Sequence, residues 1–142
     1  MSQEQGTTAI PRPAVEVDEE SAPFFDGAAR GILMVQRCDD CKAWLAPVAR
    51  LCSECLSENI AWAQASGRGS VHTFGIMHQL YHPGFRSEIP YNIAVVELEE
   101  GPRLQTNIVG CANSDITVGM KVRVTFDRVS DTITVPKFAP AR

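Results

Sequence analysis

The sequence predicts a mainly β protein in three parts: a short N-terminal helix, a ribbon pinned by four cysteines, and a five-stranded C-terminal barrel. Three observations predict it. Cysteines stand at 38, 41, 52 and 55. Apolar and polar residues alternate through five runs separated by turn residues after Gly67. Before the cysteines, Phe24, Phe25, Ala28, Ala29 and Leu33 recur at helical spacing after the start signal Ser21-Ala22-Pro23.

The composition fits a folded chain of this size. Its 142 residues suffice for one ordinary domain or two very small ones sharing a core. They are too few for a large nucleotide-binding enzyme with a separate substrate domain. Hydrophobic residues make up 44% and charged ones 21%, so a core is expected and a fibrous or disordered chain is not. Of 13 basic and 17 acidic residues, one base (Arg12) and five acids fall within residues 1–20. Residues 21–142 therefore balance, 12 against 12. A neutral body with an acidic tail lacks the phosphate-neutralising charge on which nucleic-acid affinity rests. No run approaches the roughly 18 apolar residues of a membrane span, and the N-terminus lacks the basic-then-apolar order of a signal peptide, so no membrane association and a cytoplasmic location are expected.

In chain order, residues 1–21 carry no periodicity, and Pro11 and Pro13 forbid a continuous helix; they read as a flexible acidic arm. Residues 22–35 read as a helix over about 22–30, with Ser21 as N-cap and Gly31 as terminator, followed by a lead-in strand over 32–36. So short a helix must bury its two phenylalanines elsewhere, against this chain or a partner. Residues 36–66 form the cysteine ribbon. Residues 67–142 give strands near 69–79, 91–99, 103–111, 121–127 and 132–138. Val122, Val124 and Phe126 alternate with Lys121, Arg123, Thr125 and Asp127 as a half-buried strand requires. The first strand is long and interrupted by Gly75, which suits the bulged, coiled strand that lets five strands close; an OB-type barrel results.

The pattern C-x2-C-x10-C-x2-C puts two sulfurs on each of two tight turns, the arrangement that closes one tetrahedral thiolate site. Two local disulfides are disfavoured in a reducing compartment, and iron in the same four-thiolate cage is the other reading. With Cys38, Cys41, Cys52 and Cys55 all bound, Zn(2+) has no open position, so its role is structural and no catalytic residue is assigned. Three bases against four acids between Gln36 and Glu58 also speak against a nucleic-acid finger.

Weaker features have plainer readings. Gly67-Arg68-Gly69 precedes a strand, so it is a turn and no phosphate loop. His72 and His78 read as surface histidines, and Cys111 as a small buried hydrophobe. The loop 80–90 is long for a passive connection and mixes Tyr81, His82, Phe85 and Arg86, with Tyr91 just after, in interface-like company. It is either a working surface or a cap over the barrel end. Together with Phe24 and Phe25, these residues are the candidates for partner or substrate-channel contact.

The ordered pieces carry a resemblance: a Phe-rich helix, the cysteine ribbon, Ser66-Gly67-Arg68-Gly69-Ser70-Val71, Pro90-Tyr91, Val95-Val96-Glu97-Leu98-Glu99-Glu100-Gly101, Asn107-Ile108-Val109-Gly110-Cys111, Val118-Gly119-Met120-Lys121-Val122 and Phe138-Ala139-Pro140. From about Ala22 to Pro140 this resembles the family catalogued as domain of unknown function thirty-five, zinc-ribbon plus OB-fold proteins associated with acyl-CoA enzymes. The glycine common after the first knuckle is Lys42 here, and a proline pair is reduced to Pro47-Val48. The resemblance implies a non-catalytic subunit of a thiolase or thiolase-like aldolase, supporting assembly and the acyl-CoA channel, with a CoA thioester as substrate of the complex. The alternatives are a single-stranded nucleic-acid module, disfavoured by charge, and an independent acyl-CoA carrier, disfavoured because five-stranded barrels fill with their own side chains.

Overall fold

A computed structural model describes residues 10–141. Helix α1 spans Ala22–Ala29, and the strands are β1 Met34–Cys38, β2 Trp44–Leu45, β3 Ile60–Gln64, β4 Arg68–Met77, β5 Tyr91–Leu98, β6 Arg103–Thr106, β7 Lys121–Arg128 and β8 Thr134–Pro140. Short 3-10 turns lie at Pro83–Phe85 and Asn113–Asp115. The strands form a three-stranded antiparallel sheet, β2-β1-β3, and a five-stranded one, β6-β5-β4-β7-β8. The fold is mainly β with a curled five-stranded sheet, as the alternation predicts. Of the expected arm, residues 1–9 lie outside the described residues; 10–17 lack regular structure.

Helix α1 starts differently from its sequence signal. Ser21 occupies the N-cap position, yet its side chain makes no cap bond to the helix. Its Oγ instead accepts the Asp18 N–H at 3.1 Å, while its own N–H donates to Asp18 Oδ1 at 2.8 Å. That bond holds the Asp18 carboxyl below its ordinary range. Gly31, at φ +73°, ends the helix, and Ile32 N–H closes onto Gly27 carbonyl at 2.8 Å.

Both sheets share one core. Leu33 and Val35 from the β1 segment and Ala65 after β3 pack with Val71, Ala94, Val96, Leu98, Val122 and the fully buried Phe138. The ribbon is thus joined to the barrel by buried apolar contact as well as by sequence. Strand β5 shows the period of two plainly: Asn92, Ala94, Val96 and Leu98 are buried and the residues between them are not.

Strand β4 bends three residues earlier than the glycine suggests. The register shift lies between Val71 and Thr73, not at Gly75, whose α-carbon faces open space. The physical reason is that β4 pairs with β7 only over 68–70, and Val71 makes its last bonds to that side through Met120 and Gly119. Freed of one neighbour, the strand bulges at His72, which is exposed, as is His78. The glycine this strand requires is Gly69, where a Cβ would stand 2.5 Å from the Glu97 carbonyl oxygen and 2.8 Å from Val96. Gly69→Ala is therefore expected to destabilise by about 1–3 kcal/mol, read as a lowered denaturant midpoint with unchanged slope.

Strand β6 stops at Thr106, short of the expected 111. Beyond it the chain turns to close the barrel: Ile108 bridges Phe138 in parallel, with Val109 N–H to Phe138 carbonyl at 2.8 Å and Phe138 N–H to Asn107 carbonyl at 3.1 Å. The Asn92 side chain substitutes for the missing ladder, donating to Ile108 carbonyl at 2.8 Å and accepting Ile108 N–H at 2.7 Å. Strand β8 correspondingly lies two residues later than expected, at 134–140.

Candidate metal centre

Two knuckles of the same build carry the four cysteines. In the first, Lys42 N–H bonds to Cys38 carbonyl at 3.0 Å and Cys38 N–H to Ala43 carbonyl at 2.9 Å. In the second, Leu56 N–H bonds to Cys52 carbonyl and Cys52 N–H to Ser57 carbonyl, both at 2.9 Å. Each turn closes through a left-handed residue directly after its second cysteine, Lys42 at φ +67° and Leu56 at φ +63°. That is the conformation glycine adopts freely and other residues adopt with strain. Leu56 is 74% exposed, so its side chain gains little in return. Leu56→Gly is expected to raise the melting temperature by about 2–4 °C, for roughly 1 kcal/mol of relieved strain.

The knuckles bring all four Sγ atoms within 4.8 Å of one another, with Cys38 to Cys55 at 3.6 Å and Cys41 to Cys52 at 3.5 Å. A zinc tetrathiolate with bonds of about 2.3 Å has sulfur–sulfur edges of about 3.8 Å. The donor set therefore fits a tetrahedral divalent ion. Cys38 and Cys52 are fully buried, and Cys41 and Cys55 lie at the surface. Backbone amides also point at the sulfurs: Cys41 N–H to Cys38 Sγ at 3.5 Å and Glu54 N–H to Cys52 Sγ at 3.3 Å.

Electrostatics lead to the same conclusion. The Cys41 amide draws the Cys38 thiol down to about 7. At Cys55 the Ser57 amide favours the thiolate, but desolvation and the neighbouring sulfurs outweigh it and push the thiol up to about 12. Cys41 is also raised, by the Cys52 sulfur and burial against the Ala43 amide. Four sulfurs this close cannot all ionise without a positive charge among them, which a zinc ion supplies when bound. Four thiolates fill its coordination shell, so it cross-links the ribbon and has no open position for substrate.

Contacts between the knuckles brace the cage. Asp40 accepts from Asn59 Nδ2 at 3.1 Å and from the Ser57 hydroxyl, which together with Lys42 hold its carboxyl below the ordinary range. Asp39 N–H donates to Asn59 carbonyl at 2.8 Å. Buried Gln36 accepts the Ala49 N–H, and Arg37 lies over Trp44 at 4.9 Å.

The candidate contact residues divide into two groups. Phe24 packs against the shared core, with Phe25 edge-on at 5.3 Å, so the first of this pair belongs to the interior and not to an open surface. The loop after β4 folds back over the barrel end: His82 stacks edge-on with Phe85 at 6.2 Å, and Phe85 meets Tyr91 at 5.8 Å. His82 Nδ1 accepts the Gly84 N–H at 2.9 Å. Tyr81, 67% exposed, and Arg86 point outward. The loop thus holds together through its own aromatic rings, with Tyr81 and Arg86 among the side chains left outside. Cys111 packs against the barrel core.

Sequence reasoning missed two groups beside this loop. Buried Asn92 joins the half-buried Asn107 and Asn113 in an amide cluster lining a cleft of about 540 Å³ with Phe85 and Tyr91. Its signal was a polar residue in an otherwise apolar inward stripe. Arg12 pairs with Glu88 across the same cleft, a contact between distant residues that no local pattern announces.

Two family models match the chain, the rubredoxin-like zinc ribbon domain of ChsH2 over residues 25–61 and the C-terminal OB-fold domain of ChsH2 over residues 62–127. A chain of the solved structure described as Ltp2-ChsH2(DUF35) aldolase is similar over 92% of this chain and 100% of its own, at 37% identity and TM-score 0.80. A DUF35 domain-containing scaffold protein of Methanocaldococcus jannaschii is 33% identical, over 72% of each chain. A probable enoyl-CoA hydratase alpha subunit of Thermomonospora curvata is 39% identical over 92% of this chain, which spans only 40% of that protein's length. No helix among the described residues is long and apolar enough to cross a membrane.

Proposed function

We propose, from the premise that this chain belongs to the ChsH2/DUF35 family of zinc-ribbon and OB-fold proteins, that it is a non-catalytic subunit of a thiolase-like complex acting on acyl-CoA thioesters. The observation that carries the reading is the end-to-end likeness to a chain of an aldolase assembly. Likeness to a hydratase alpha subunit supports the same class of role.

The chemistry of the chain agrees with a scaffold. Cys38, Cys41, Cys52 and Cys55 are the zinc ligands in this reading, and four thiolates leave the metal no reactive position. The remaining thiol, Cys111, packs against the barrel core. The catalytic partner then supplies the nucleophile and bases. Tyr81 and Arg86, the outward side chains of the 80–90 loop, face the partner or the acyl-CoA channel, with His82, Phe85 and Tyr91 as the platform behind them. Phe24 holds α1 against the barrel core, and Phe25 beside it is the member of the pair left for contact with the partner. The assembly works in the cytoplasm.

Coexpression with a thiolase-like subunit is expected to yield a stable hetero-oligomer that turns over acyl-CoA, while the zinc-loaded chain alone does neither. Cleavage of thioesters or carbon–carbon bonds by the pure chain would overturn the proposal. A steep fall in single-stranded nucleic-acid binding with ionic strength would instead favour the OB-module reading, against which the balanced charge of residues 21–142 argues.

A further inference from the structure

Residues 10–17 do not run free of the barrel. At Gly84, in the loop after β4, a Cβ would stand 2.5 Å from the Pro11 carbonyl oxygen, 2.7 Å from Arg12 Cα and 2.8 Å from Arg12 N. The backbone of this segment therefore rests directly on the loop backbone, an approach only glycine permits. Beside it, the Arg12 guanidinium pairs with Glu88 and lies 5.8 Å above the Phe85 ring, so one side chain is read by a carboxylate and an aromatic face together. Further on, Pro13 to Val15 roof a cavity of about 770 Å³ whose floor includes Val129, Ile133, Val135 and Lys137. Val15 and Val17 then line a second cleft, of about 370 Å³, together with Phe25, Ala29 and Ile133.

The attachment is specific but light. No backbone hydrogen bond among the described residues ties 10–17 to the barrel. Arg12 and Glu88 side chains are 42% and 32% exposed, and Val15 and Val17 remain more than two-fifths exposed. A contact with side-chain selectivity and no backbone ladder is one that opens and recloses.

The geometry points to a recognition groove for an extended arginine–proline segment at this end of the barrel, between the loop after β4 and the turn before β8, which residues 10–17 of this chain fill as a releasable strap. Gly84 admits the backbone, Phe85 and Glu88 select the arginine, and Pro13 and Val15 close over the cavity opposite Val129, Ile133 and Val135. This goes beyond the scaffold role and does not depend on it, since the groove and its occupant lie in one chain. With the strap down the cavity is roofed; with it lifted, the floor is open.

A fluorescently labelled peptide of residues 10–18 tests this against the zinc-loaded full chain by anisotropy. The wild-type chain, its groove already filled, is expected to bind weakly. The Arg12→Ala chain, whose own strap is loosened while the groove is intact, is expected to bind about tenfold tighter. Adding Glu88→Arg to that chain is expected to lose the gain, and a peptide carrying Arg12→Glu is expected to recover it on the doubly substituted chain. No saturable binding to the Arg12→Ala chain, or binding indifferent to the charge swap, would overturn the assignment.

Discussion

Cys38→Ser is expected to lose stoichiometric zinc and, with it, the folded ribbon. Around the metal the buried cluster is Cys38, Leu45 and Cys52, with Ala43, Ala49 and Ile60 packed against it, the ribbon's other buried apolar residues, Leu33, Val35 and Ala65, lying in the core shared with the barrel. So few apolar groups cannot offset the conformational entropy of some thirty ordered residues. Structural zinc supplies about 10–16 kcal/mol at neutral pH in comparable small sites, and in such sites binding energy is folding energy. Serine removes one of four ligands and one of the two buried sulfurs. The damage is expected to spread, because β1 carries Cys38 at one end and, toward the other, Val35, which sits in the barrel core. Cys55→Ser, at an exposed ligand, is expected to give the same loss of metal with less direct damage to packing. Zinc content by mass spectrometry and a thermal melt on each variant check both. A variant that keeps the intact complex and loses only turnover would contradict a purely structural metal.

Asn92→Leu is expected to cost about 2–5 kcal/mol, a fall in melting temperature on the order of 10 °C. The side chain makes three hydrogen bonds, two of them to the buried backbone of Ile108 and the third to Asn113 Oδ1 at 3.0 Å. Leucine fills the space but leaves the Ile108 N–H and carbonyl without partners in an apolar interior, at about 1–3 kcal/mol each. The same two bonds set the path of the chain from β6 to its bridge with Phe138. Amide hydrogen exchange at Ile108 and Val109 is expected to quicken far more than exchange in the β4–β5 pair. Uniform acceleration across the barrel would mean that Asn92 supports general stability and not closure in particular.

These two sites differ in how far the sequence discloses them. The cysteine cage is local: two residues between ligands fix each turn, so spacing alone reveals the geometry, and even the left-handed strain at Lys42 is visible as a departure from glycine. Strand β5 is legible because one face of it is buried, which writes a period of two into it, while in β7 the apolar alternation of Val122, Val124 and Phe126 is matched by alternating burial only over Lys121–Arg123. What is illegible depends on partners distant in the chain. The bulge at His72 is placed by where β7 begins, at Lys121 opposite Ser70, and Gly75, the local candidate, has empty space about it. Ser21 looks like a cap, but Asp18 claims its hydroxyl. Arg12 sits in an unpatterned segment, and its partner Glu88 is 76 residues away. Whether Phe24 buries against this chain or against a partner is open in the sequence until β1 and β8 are seen to pack on α1.

Zinc K-edge X-ray absorption on the purified chain tests the closed-shell scaffold most directly. Four sulfur neighbours at about 2.3 Å and no oxygen or nitrogen in the first shell is the predicted result. Three sulfurs and a light-atom ligand would show an open coordination position, and the metal would then have to be counted among the reactive groups of the complex.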